Sequence, residues 1–287
     1  MLEKNIFNKN IIFKKHFIKI FLYLAMVLLL LFALFPVLWT LSVSVKTLSE
    51  TFAIPPTWVP KVITFNNYLN IWTRYKTAKY LFNSLIVSLI STMVSVTLGC
   101  LAGYGFSRFN FWGKNGFLGF LLFTQLLPGV AIMIPYFRVM QMLGLLNTYT
   151  SLIIVYCSFS LPFCIWMMKA YFDSIPNSID EAARIDGCSH LQIFIKIVLP
   201  LTLPGVASTI IFCFVIAWSE YLFTLILVST DDMKTITLGI ASLIGAYEVS
   251  WNELGAMAIV AGIPVLVLFA FVQKSFIQGL TAGAFKQ

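Results

Sequence analysis

Charge is what this sequence has least of. Aspartate, glutamate, lysine and arginine make up 10% of its 287 residues, where soluble domains carry ~25%, and 60% of the chain is hydrophobic. That balance leaves too little polar surface to coat a water-soluble body, which excludes an ordinary soluble enzyme. Histidine is scarcer still, with two in the chain, and no Ser, His and Asp group or pair of spanning carboxylates stands out for acid, base or nucleophilic work. No phosphate loop of the GxxxxGK[ST] type occurs, "GKN" at Gly113 coming nearest, so any nucleotide chemistry must come from another chain. The five cysteines (Cys100, Cys157, Cys164, Cys188, Cys213) have neither metal-ligand nor redox spacing, and no metal site or disulfide framework is expected.

What the sequence has in plenty is long uncharged runs. A helix rising ~1.5 Å per residue needs ~20 residues to cross ~30 Å of hydrocarbon. Six charge-free windows reach that length: 20–45, 80–107, 115–137, 139–168, 197–219 (running on past Glu220 to about 228) and 254–273. Each is continuously apolar rather than alternating, which points to helices and not barrel strands. The expected fold class is an all-α integral membrane protein with six transmembrane helices, at about 20–45, 80–107, 115–137, 147–168, 203–228 and 254–273. The transmembrane domain, 20–273, lies between tails at 1–19 and 274–287. The first run, at 26 residues, exceeds the ~7–15 apolar residues of a signal peptide, so it is expected to stay as a span.

Basic residues favour the cytoplasm. With the N-terminus inside, 12 lysines and arginines fall on the cytoplasmic side, among them Lys4, Lys9, Lys14, Lys15 and Lys19, against 7 outside. Lys46, Lys61, Arg74, Lys76 and Lys79 in the first outer loop oppose that vote. The formal charge of +8 then reads as a topology signal rather than a nucleic-acid footprint. In the first outer loop, "IPPTWVP" forbids a continuous helix, and "TFNNYLNIWTRYKTAKY" mixes aromatic and basic residues as interfacial helices do. "SRFNFWGKN" makes a tight basic turn and "RVMQMLGLLNTY" a short outer connection. By parity, the loop at 169–200 is cytoplasmic and the loop at 231–253 is outside.

One connection is unusually polar. "IPNSIDEAARIDG" opens on Pro176 with a capping-box pattern, Ser178 and Glu181, and stops at Gly187, suited to a left-handed C-terminal cap. Ile179, Ala182 and Ala183 fall on one face, leaving Asp180, Glu181 and Arg184 to solvent. Ser189 and Gln192 form a second capping-box pattern, and a further helix is expected to run to Pro200. Helix, glycine turn, helix is the expected result, either as a docking surface or as an interfacial loop joining two spans.

Glu181, Ala182, Ala183, Asp186, Gly187, Phe194, Ile197, Leu199, Pro200 and Pro204 together resemble the EAA motif of ABC importer permeases. Cys188 stands where that family usually has alanine. The resemblance extends over nearly the whole chain to the maltose-type carbohydrate-uptake permeases. It is carried by "NSLIVSLISTMVSVTLGCLAGYGFSRFNFWGKN", "LGLLNTYTSLII", "LPFCIWMMKAYFDSIPNSIDEAA", "WSEYLF" and the terminal "GLTAGAFKQ".

The resemblance implies a permease in a bacterial cell membrane, both termini cytoplasmic. It implies a second homologous permease as heterodimer partner, two ATPase subunits below and an extracytoplasmic sugar-binding protein above. ATP and magnesium would sit on the ATPase, this chain binding no cofactor and catalysing nothing. Ala182 and Ala183 would form a close-contact surface, Glu181 and Asp186 polar anchors, Gly187 the turn, with Phe194, Leu199 and Pro200 completing the ATPase-coupling set. The loop at 231–253, with Asp231, Asp232, Glu248 and Glu253 against Lys234, resembles the one that meets the binding protein, solvation being the plainer reading.

Pathway or partner-permease candidates are the polar and aromatic span residues Asn83, Ser84, Gln125, Trp218, Glu220 and Tyr221, each open to a packing role as well. Glu220 is the one carboxylate inside an apparent span; it is either a pathway group or a wet anchor near the outer surface. Competing readings are an ABC permease for another solute, such as glycerol phosphate, and a secondary sugar transporter, which would need internal repeats and a coupling-ion site that this chain lacks.

Overall fold

The computed structural model describes residues 2–245 and 249–284, with side chains over 18–245 and 249–273. The side chains of Lys4, Lys9, Lys14 and Lys15, all of Glu248, and the side chains of "GLTAGAFKQ" therefore lie outside the described residues. In chain order the helices are α1 (Leu2–Ser44), α2 (Leu48–Thr51), α3 (Asn66–Thr73), α4 (Thr77–Arg108), α5 (Lys114–Gln125), α6 (Gly129–Met142) and α7 (Tyr149–Asp173). There follow α8 (Asn177–Ile185), α9 (His190–Ile193), a π-helical stretch Phe194–Val198, α10 (Leu199–Leu201), α11 (Leu203–Ser219), α12 (Leu222–Leu227), α13 (Ile236–Ala241) and α14 (Trp251–Ala284). No strand occurs among the described residues.

Among the described residues, four helical segments, 18–44, 77–108, 149–173 and 251–273, are long and apolar enough to cross a bilayer, and two bent pairs bring the number up to six if each pair is one span. The window expected as one helix over 115–137 is such a pair: α5 and α6 meet at 100°. Pro128 is the cause. It withdraws a backbone donor and pushes Leu127 out of the helical region, so α6 restarts behind a proline cap. At 12 and 14 residues the pieces measure about 18 and 21 Å, short of a bilayer when taken singly.

The window expected over 203–228 is also interrupted. α11 ends at Ser219 and α12 begins at Leu222, with Glu220 and Tyr221 between them.

Two compact units divide the chain: 1–71 with 248–260, and 72–247 with 261–287. In the first, the loop that follows α1 is folded by its own polar contacts. Buried Asn67 donates to the carbonyls of Ser44 and Lys46, both at 2.8 Å, and accepts from Asn252 at 2.7 Å. Lys46 is buried, its ammonium on the Thr57 carbonyl and 4.7 Å above the Trp39 ring. Glu50 accepts from the Thr57 hydroxyl (2.9 Å) and the Lys61 amide (2.8 Å), which closes the proline-rich segment on itself.

The second unit is built on α4, α7 and α11. Small residues line the face of α4 turned inward: Ser84, Ser88, Ser91, Ser95, Gly99 and Gly103 are all buried. A Cβ at Gly99 would stand 2.5 Å from that of Cys164, and one at Gly103 2.9 Å from the Lys169 amide, so only glycine permits this approach of α4 to α7. Between α7 and α11, the buried thiols of Cys164 and Cys213 face one another at 2.8 Å.

Candidate functional site

α8 and its flanks form the first candidate site. The backbone reverses at Gly187, where φ is +83°, a conformation that glycine adopts without a Cβ penalty. The Cys188 amide donates to the Ala183 carbonyl and the Gly187 amide to the Arg184 carbonyl, closing the helix end as a Schellman-type cap does. Ser189 and Gln192 make the reciprocal capping box in full. The Ser178 and Glu181 box does not form. α8 begins earlier, at Asn177 behind Pro176, without a side-chain cap, because proline at the boundary sets the extended entry and needs no donor satisfied.

Three further expectations for this segment change. Asp180 is not wet: it is 2% exposed, paired with Arg108 of α4 at 3.0 Å between Nε and Oδ2, and accepts from the Tyr104 hydroxyl at 2.9 Å. Arg108 also donates to Asn177 Oδ1 (2.8 Å) and the Ile175 carbonyl (3.1 Å). Ala183 turns into the core beside Phe172, Ile193 and Phe194, so of the two alanines only Ala182 is presented outward.

Pro200 does not interrupt the second helix. The π-helical stretch shifts the hydrogen-bond ladder by one residue, the Leu199 amide reaching back to Phe194, and Pro200 is absorbed. The 79° bend falls instead at Thr202, whose hydroxyl donates to the carbonyls of Val198 and Leu199.

The exposed residues of α8 and its turn are thus Asn177 and Ser178 at its start and Glu181, Ala182, Arg184, Ile185, Asp186 and Gly187 at its end. Ile185, absent from the expected coupling set, is 87% exposed. Phe194 lies beneath, its ring 4.9 Å from Tyr104 and 6.1 Å from Phe172; Leu199 is half-buried and Pro200 exposed.

At the opposite end of α4 lies a clasp. Asn83 donates to the carbonyls of Asp232 (2.9 Å) and Lys234 (2.8 Å) and accepts from Tyr149 (2.6 Å). Ser84 accepts from the Ile236 amide at 2.8 Å. The polar atoms of Asn83 are therefore taken up in holding the segment 231–236.

Tyr80 and Lys76 add bonds to Asp231 and Asp232, at 2.8 and 2.7 Å. Hydrogen bonding and charge from Lys234 hold the Asp231 carboxyl below the ordinary carboxylate range, with help from Tyr80 and Lys76; Lys76 does the same for Asp232. The close fit is completed by Gly239, where a Cβ would strike the Tyr80 ring.

A third feature gathers residues from two interruptions. A cavity of about 310 Å³ is lined by Gln125 and Leu127 at the α5/α6 bend, Glu220 and Phe223 at the α11/α12 break, and Tyr156 and Phe159 of α7. Glu220 is half-buried and caps α12: its oxygens accept from the Phe223 amide at 2.8 Å and the Thr224 amide at 3.2 Å. Gln125 donates to the Phe159 carbonyl at 3.1 Å.

Trp218 stands apart from this cavity. It is buried, stacked on Phe214, with its indole donating to the Ala261 carbonyl, and packs α11 on α14. Tyr221 is half-buried at the break itself. Among the described residues no group of three His, Cys, Asp or Glu could hold a metal.

A mostly helical, multi-span membrane protein with an exposed polar helix and sharply bent helix pairs is the class these features define. Comparison with known proteins agrees. Residues 95–281 match the profile of the "binding-protein-dependent transport system inner membrane component" family, and the chain belongs to that family.

The sulfoquinovosyl glycerol transport system permease protein of Agrobacterium fabrum is 36% identical over 92% of this chain and 93% of its own. The maltodextrin transport system permease protein of Bacillus subtilis is 40% identical over 71% and 74%. The fold matches a chain of a bacterial ABC transporter involved in import of the acidic polysaccharide alginate, with a TM-score of 0.76, 25% identity, and 90% and 97% of the two chains covered.

Proposed function

We propose that this chain is the permease subunit of an ATP-driven, binding-protein-dependent importer for sugars, oligosaccharides foremost. The observation that carries the reading is α8: a nine-residue helix whose back is fixed by a buried ion pair while Glu181, Ala182, Ile185 and Asp186 are left exposed beside a left-handed glycine turn. Such a helix offers a groove-bearing partner a rigid, close-approach face. The sugar class is supported by the relatives, whose names give sulfoquinovosyl glycerol and maltodextrin as their cargo.

In this reading the chain has six spans, at about 20–45, 80–107, 115–137, 147–168, 203–228 and 254–273, with both termini and the loop at 169–200, α8 included, in the cytoplasm of a bacterium. It pairs with a second homologous permease. Two ATPase subunits, which hold ATP and magnesium, grip α8. A sugar-binding protein meets the loop at 231–253, of which 231–236 is held by α4, on the outer face.

Gln125 and Glu220 lie on the sugar's route, at the broken helices where a pathway can be lined with polar groups without exposing them to lipid. Phe159 and Phe223 offer the ring faces on which a sugar stacks. Asn83 and Ser84 serve the outer segment instead.

The test is ATP-dependent uptake by the full transporter in proteoliposomes, with Asp186→Arg placed on the coupling face and Glu220→Gln in the cavity. The first is expected to release the ATPase from the membrane complex. The second is expected to keep the complex and alter uptake. Uptake unchanged by both variants overturns the assignment.

A further inference from the structure

Three connections hold α8 to the second unit. Two follow the backbone: to α7 through Ser174, Ile175 and Pro176, and to α11 through the Gly187 turn, α9, the π-helical stretch, α10 and the bend at Thr202. The third crosses the chain. Arg108, the last residue of α4, meets Asp180 with side chains 5% and 3% exposed, and the same guanidinium takes the Ile175 carbonyl and Asn177 Oδ1. Arg108 Nε and Asp180 Oδ2 are not aligned as a hydrogen bond, so charge attraction is what binds those two atoms, while Tyr104 hydrogen-bonds the other carboxylate oxygen.

We propose that the Arg108–Asp180 pair, backed by Tyr104, is the joint through which movement of α8 is passed to α4. This deepens the reading of α8 as the ATPase-facing helix and rests on it. Arg108 and Asp180 are then positioning residues of the transport cycle.

Two observations support this beyond the burial of the pair. First, α8 has little else to grip with: its apolar contacts inward are Ala183 and the half-buried Ile179. A buried pair cannot be drawn apart without leaving both charges unpaired, so α8 and the end of α4 move as one. Second, α4 suits the task. It is 32 residues long with no internal proline, about 48 Å of unbroken helix, whereas α7 contains Pro162, α14 contains Pro264 and the remaining spans of this unit are bent or broken. Its far end carries Tyr80, Asn83 and Ser84, which hold the segment 231–236. Displacement entering at Asp180 therefore reaches the outer segment through one rod. Because such coupling is reciprocal, a binding protein pressing on that segment acts on α8 by the same route.

The experiment uses the assembled transporter in nanodiscs. Non-cysteine spin labels are introduced at Phe82 of α4 and Ser178 of α8, both exposed, and the label-to-label distance is read with and without a non-hydrolysable ATP analogue. The expected result is a single narrow distance in both states for the parent protein. In Asp180→Asn and Arg108→Gln the distribution broadens or becomes nucleotide-dependent, and ATP-driven uptake falls about tenfold, while the ATPase still co-purifies.

The double variant Asp180→Asn/Arg108→Gln leaves no charge stranded and so keeps the test open if a single variant fails to fold; it is expected to show the same broadened distance and to be no worse in uptake than the poorer single variant. A narrow, nucleotide-independent distance together with full uptake in the single or the double variant overturns the proposal. Failure of the parent complex to retain its ATPase at all overturns the underlying reading of α8 instead.

Discussion

Gly187 has open space where a Cβ would stand, so a substitution there meets no neighbour within this chain and acts on its backbone conformation. Gly187→Val forces a β-branched residue to φ near +83°, at about 1–2 kcal/mol or more. The variant should insert normally, as membrane fractionation will show, and lose ATP-driven uptake; wild-type uptake would remove Gly187 from the coupling role. Glu220→Ala withdraws the acceptor from two amides of α12 and should cost about 1 kcal/mol, readable as a lower melting temperature of the purified complex.

Gly187 and the Ser189/Gln192 box were legible in the sequence because their geometry is settled within a few residues. Asp180 was not. Its partner Tyr104 lies 76 positions away, and a helical-wheel reading of α8 alone places an aspartate toward water. Ala183 fails for the same reason: the i, i+3, i+4 rule finds an apolar face but not which neighbour covers it.

Helix packing carries its own test. Gly99→Val in α4 drives a side chain into Cys164, an overpacking that costs about 1–3 kcal/mol, whereas Gly105→Val on the same helix meets nothing within 4 Å. The first should lower the melting temperature and the second leave it within error; equal effects would contradict the packing described.

The clasp on 231–236 depends on pH with a definite sign. The carboxyls of Asp231 and Asp232 sit below their ordinary value of 3.8 in the folded state. Their contribution is therefore complete above about pH 4 and disappears as pH falls through the lowered value. Protection factors of the 231–236 amides, that is, exchange corrected for its intrinsic pH dependence, should hold steady from pH 8 to about pH 4 and fall below it. Loss of protection already between pH 8 and 6 would assign the hold to other groups.

Helix existence was easy to read from charge-free length, since hydrocarbon admits little else. Helix continuity was not: a search for charge passes Leu126, Leu127 and Pro128 alike, while geometry treats Pro128 as a stop. Nor does apolar length reveal the interruption at Glu220 and Tyr221, where the Glu220 carboxylate caps the next helix.

At the scale of the molecule, two findings fit together. The chain belongs to a family of inner-membrane components that work with binding proteins, and its second unit carries an exposed helix at one end of α4, a held segment at the other, and a cavity at two interruptions. The measurement that bears most directly on this account is uptake of labelled mono- and oligosaccharides by proteoliposomes holding this chain, its partner permease and its ATPase. The account predicts uptake of at least one sugar that requires both ATP inside and the binding protein outside, and that Asp186→Arg abolishes. Uptake by this chain alone, driven by an ion gradient and indifferent to ATP, would contradict it.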